Sequence, residues 1–161
     1  MQSFLNFTLK VITAHTVTYT IAGILSSYVN DYETLFQAPI INNFMRSFDE
    51  PIIMFGPLLQ PIRGLLYAIV LFPFRNFLHQ QKNGWLLLWG LFLGLAIFGT
   101  CGAAPGSIEG VIYTKLPFYF HLVGLPEITL QTLVFSLWLL KWDKKSLKGD
   151  AKGKLSQIRG F

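Results

Sequence analysis

The stretch from Leu116 to Trp142 holds the residues best suited to chemistry: His121, Glu127, Thr129, Gln131 and Thr132, all inside an apolar run of bilayer length. A carboxylate at the centre of a hydrocarbon layer costs about 3 kcal/mol even on the most lenient scale, so Glu127 calls for a partner. Arg63, in a second apolar segment, is the natural candidate. It lies about twelve residues into its segment and Glu127 about ten into its own; at about 1.5 Å per residue the two depths agree within a few ångströms. The planar guanidinium fork suits a carboxylate. An Arg63–Glu127 pair is therefore expected at mid-membrane, with pairings of Glu127 to His15 or Arg63 to Glu109 as alternatives. Such a pair can build a ligand site, or it can do no more than fix helix register.

The candidate ligand-binding set is Gln60, Arg63, Tyr67, Glu109, His121, Glu127 and Gln131. On a projection at roughly 100° per residue, Gly56, Gln60, Arg63 and Tyr67 share one narrow face. On the Glu127 segment the polar residues spread over an arc of about 200°, with Glu127 at its edge. No catalytic residue is assigned. Ser107 and His121 lack a G-x-S-x-G frame, and the chain has no phosphate-loop motif. No His, Asp or Glu spacing matches a zinc or di-iron site. His15 and His121 fall at opposite depths, which argues against a haem, so no cofactor is expected. The single Cys101 excludes an intrachain disulfide.

These residues need elements to hold them. The 161 residues are 52% hydrophobic and only 13% charged, against about 25% charged in a soluble domain. The expected fold is all-α: an integral membrane four-helix transmembrane bundle forming one domain over residues 1–142. Its spans are placed at about 11–29, 51–74, 84–100 and 117–141. Met1 to Lys10 reads as a mildly amphipathic lead and not as a cleaved signal. The first span is rich in Thr and Ser, whose hydroxyls can bond back to helix carbonyls. A short interfacial helix is expected within 35–48, interrupted or started by Pro39. The second span is expected to kink, or to begin properly at Pro61, because Pro57 and Pro61 each remove a helical hydrogen bond. Gly90 and Gly94 make a GxxxG step in the third. Residues 100–110 form a breaker-rich loop, with Ser107 as cap of a short following helix.

The loops after the second and fourth spans are basic, and those after the first and third are acidic or nearly neutral. By the positive-inside rule both termini are cytoplasmic, in the plasma or cell inner membrane. Residues 143–161 read as a basic, disordered cytoplasmic tail that meets anionic lipid. The lysines are not interleaved with aromatics or glycines as a nucleic-acid site would be. The leading expectation is a carrier, channel or sensor for a small amphipathic or anionic ligand, with a homo-oligomer or larger membrane complex as its context. The alternative is a non-catalytic accessory or structural subunit. A lipid-modifying enzyme, with Glu127 or Glu109 as acid or base, comes third.

Overall fold

A computed structural model describes residues 2–47, 50–100 and 102–159. Phe48 of the expected interfacial helix, Cys101 of the breaker-rich loop and the last two residues of the tail lie outside these. The fold is all-helical, with no strand among the described residues. Helix α1 (Gln2–Val29) is followed by the short α2 (Tyr32–Gln37) and α3 (Pro39–Asn42). Next come α4 (Pro51–Met54), a 3-10 turn (Gly56–Leu59), α5 (Gln60–Leu71), α6 (Arg75–Gln80) and α7 (Gly84–Phe98). The chain closes with α8 (Ile108–Tyr113), α9 (Phe118–Val123) and α10 (Leu125–Arg159).

Proline and glycine set most of the breaks. Pro39 starts α3 and Pro51 starts α4, where the missing N–H is one the helix leaves unbonded in any case. The stretch before Pro61 is a short helix and a 3-10 turn, and α5 runs regularly only from Gln60. The expected interfacial helix is two short ones meeting at Ala38. The last apolar run is divided at Gly124, two residues before Pro126. Beyond Trp142, where the sequence suggested a disordered tail, α10 continues to Arg159. No proline follows Pro126 until the chain ends, and Lys, Leu and Ala are good helix formers.

Helix α1 packs against α5 and α10, and α7 packs against α10. Their shared core is Phe7, Val11 and Ala14 of α1, Ala68 and Leu71 of α5, Leu88 of α7, and Phe135, Leu139 and Leu140 of α10. The tightest crossing is at Gly64, where a Cβ would come within 2.8 Å of the Ile12 Cα. Trp89 ties α7 to α10 by donating its indole N–H to the Thr129 carbonyl at 3.1 Å. Thr18 and Thr132 return their hydroxyls to carbonyls four residues earlier, so neither exposes a free polar group to the packing. A second, smaller core joins Ile41 to Leu116 and Phe120 and seats α3 beside α9.

Two stretches are long and apolar enough to cross a membrane: Pro51–Leu71 and Phe118–Leu147. Gly84–Phe98 is apolar but shorter. Helix α1 has the length but carries Lys10 and a Thr/Ser load. The outward faces are greasy: Ile62, Leu66, Ile69 and Val70 on α5, and Leu87, Leu91, Leu95 and Phe98 on α7, are all exposed. The helix ends sort into two sets. Lys10, Arg75 and Asp143 meet at one end of the packed helices, while Tyr32 meets Glu127 at the other.

Candidate functional site

Glu127 lies in the first turn of α10, just after the Gly124 break. An acid there faces the positive end of the helix dipole. The Tyr32 hydroxyl donates to its Oε2 at 2.8 Å. Across from it, α1 presents Gly23, where a Cβ would sit 3.8 Å from Glu127 Oε1. The absence of a side chain at Gly23 leaves room for the carboxylate at the α1–α10 seam. Burial, and then the bond to Glu127 and its charge, raise the Tyr32 phenol above its ordinary pKa. The phenol therefore stays a donor.

Two grooves open on either side of this carboxylate. One, of about 590 Å³, runs between α1 and α10 and is lined by apolar residues such as Ile21, Leu25, Leu130 and Val134, with Gln131 and Trp138. The other, of about 340 Å³, lies between α1, α2 and the 3-10 turn, bounded by Tyr19, Gly23, Tyr32, Gly56 and Pro57. Glu127 lines both.

The expected Arg63–Glu127 ion pair is not formed. The Arg63 guanidinium lies over the Tyr19 ring, 5.8 Å from its centroid, and the side chain is exposed outside the walls of both grooves. Gly64 explains the displacement. Its close approach to Ile12 turns the stripe Gln60, Gly64, Ala68 and Leu71 inward. Arg63, about 100° around the helix from Gly64, is turned out. Tyr19 and Gly23 are one helical turn apart on α1, so Arg63 and Glu127 still approach neighbouring parts of that helix.

The other expected site residues are divided. Gln60 is buried, its carbonyl 3.2 Å from His15 Nε2 and its amide donating to the Gly56 carbonyl. Tyr67 meets the His15 ring edge-on at 4.8 Å between centroids. Gln131 joins Glu127 in the larger groove. His121 and Glu109 are not gathered there. His121 is 2% exposed; its Nδ1 accepts from the Gly106 N–H at 3.3 Å, and its Nε2 is buried with no hydrogen-bond partner among the described residues. It braces the turn at Gly106, whose φ of 84° favours glycine. Ser107 caps α8 by accepting from the Gly110 N–H at 3.0 Å and donates to the Ala104 carbonyl, not to His121. Glu109 lies in the first turn of α8.

The sequence reading missed the strongest ionic cluster. Asp143 is fully buried and receives Lys10 Nζ at 3.0 Å, two bonds from Arg75, and His79 Nε2 at 2.8 Å. Arg75 also donates to Ser3 at 2.7 Å and lies over the Phe7 ring. One signal was available: Asp143 is the only acid between Glu127 and Asp150, set among lysines. Among the described residues, no group of three or more His, Cys, Asp or Glu could hold a metal ion. Comparison with protein-family models, curated proteins and solved structures finds no match for this chain.

Proposed function

We propose that this chain is a small multi-pass membrane protein that binds an amphipathic ligand at Glu127. Four crossings are made by α1, α4–α5, α7 and α9–α10, with both ends on the cytoplasmic face of the plasma or cell inner membrane. The exposed apolar faces of α5 and α7 support immersion in lipid. The meeting of Lys10 and Asp143 at one end supports termini on a common side. At about 22 Å for its 15 residues, α7 is short for a hydrocarbon core of about 30 Å, so the bilayer thins beside it or its flanks extend the crossing.

One observation carries the ligand reading: Glu127 lines two grooves and has Tyr32 as donor but, among the described residues, no cation within ion-pair distance. A carboxylate beside an apolar groove fits a ligand with a donor or cationic head and a hydrocarbon body. This turns the expected preference away from anions, since Arg63 lies outside the groove walls. The test is saturable binding of a long-chain alkylamine by protein in lipid nanodiscs, followed by Trp138 fluorescence, against an alkyl sulfate of equal length. Preference for the amine, weakened about tenfold in Glu127→Gln, is expected. Equal binding of both amphipaths, or an unchanged variant, removes the reading.

A second reading, an accessory subunit of a membrane complex, is favoured by a different feature. Added Cβ atoms at Gly90 and Gly94 would meet nothing within 4 Å, so the GxxxG step faces outward from the packed helices and is open to a partner.

A further inference from the structure

We propose that Lys82, Lys141 and Lys144 form a binding site for the phosphate of an anionic phospholipid at the cytoplasmic end of the apolar part of α10. The inference rests on the membrane placement proposed above but not on the Glu127 ligand. The three lysines, with His79, border a pocket of about 120 Å³ between the turn after α6 and the last apolar turns of α10. Lys141 and Lys144 share a helix face at i, i+3. Lys82 comes from the facing turn, where Trp85 and Leu137 supply an apolar wall. A tryptophan beside lysines where an apolar span ends is the arrangement that meets a lipid headgroup and the start of its chains.

Asp143 is the nearest acid in sequence, but it is fully buried and both its oxygens are taken by Lys10, Arg75 and His79. Among the described residues no carboxylate pairs with Lys82, Lys141 or Lys144. Three uncompensated ammonium groups around a small recess with one apolar wall suit a lipid phosphate with its glycerol and first methylenes.

The experiment compares thermal stabilisation of the purified chain by short-chain phosphatidylglycerol, phosphatidylcholine of the same chains, and inorganic phosphate. A site variant (Lys82→Gln, Lys141→Gln, Lys144→Gln) is set beside a charge-matched control (Lys115→Gln, Lys145→Gln, Lys152→Gln). Stabilisation by phosphatidylglycerol over phosphatidylcholine is expected, with apparent affinity falling on the order of a hundredfold in the site variant, from roughly fivefold per lysine. The control should stay within about threefold of the wild type. Equal response to both lipids, an equal loss in the control, or protection by inorganic phosphate that matches the lipid each overturns the site. Alkaline carbonate extraction separates the two layers of the inference. Wild-type chain that stays with the membrane but lacks lipid selectivity loses this site alone; chain released by carbonate loses the membrane reading with it.

Discussion

Arg75 holds Asp143 by two charge-assisted hydrogen bonds, Nε to Oδ2 at 2.6 Å and Nη2 to Oδ1 at 2.8 Å. With Lys10 and His79 on the same carboxylate, the start of α1, the α6 turn and the middle of α10 are fastened at one point. The planar fork sets direction as well as charge, which lysine could not do.

Asp143→Ala should therefore destabilise the protein by about 3–5 kcal/mol, because Arg75 and Lys10 would stay buried without a counter-charge. Thermal unfolding in mild detergent measures this. Glu50→Ala is the comparison, since Arg46–Glu50 is an exposed pair with side chains 63% and 39% accessible. Its loss should cost no more than about 0.5 kcal/mol. Equal effects of the two substitutions would mean that the Asp143 cluster does not hold the helices together.

Tyr32 makes a pH prediction. Its phenol is raised above the ordinary value by burial and by Glu127, so the folded chain keeps a proton that the unfolded chain starts to lose near pH ~10. The stability linked to that proton is fully present below about pH 10 and is lost as pH rises through the folded value. Tyr32→Phe should cost about 1 kcal/mol near neutrality, for one hydrogen bond to a carboxylate at a half-buried site. The gap between variant and wild type should narrow as pH rises from 9 to 11. A gap that widens or stays constant would show that the phenol and Glu127 are not coupled.

The glycines divide by position. Gly64→Ala places a Cβ 2.8 Å from the Ile12 backbone, so α1 and α5 must separate, at a cost of about 1–3 kcal/mol. Gly90→Ala and Gly94→Ala meet open space and should leave the isolated protein as stable as before, or slightly more so. Unfolding midpoints check both halves. Should the Gly90 or Gly94 variant keep its midpoint yet change the oligomeric size in native detergent, the accessory-subunit reading gains.

What the sequence made legible was mostly local. The start of the regular helix at Pro61, the new start at Pro39, the Ser107 cap and the Thr back-bonding follow from chemistry within about four residues. Arg63 and Glu127 do both approach α1, at Tyr19 and at Gly23. Azimuth was not legible. Which side of α5 turns inward is decided by the contact between Gly64 and Ile12, and no periodicity in α5 alone reveals it. Asp143 was hidden for a related reason: its partners are 64 to 133 residues away, and it lies just past the end of the apolar run.

Helix α10 is unbroken from Glu127 to Asp143, a distance of about 24 Å for 16 residues. One end of that stretch borders the grooves and the other is clamped by Lys10, Arg75 and His79. A stiff rod held at one end pivots there. Any tilt that widens the space beside Glu127 swings the helix about Asp143 as its fulcrum, so the Asp143 clamp sets how far the grooves beside Glu127 can open.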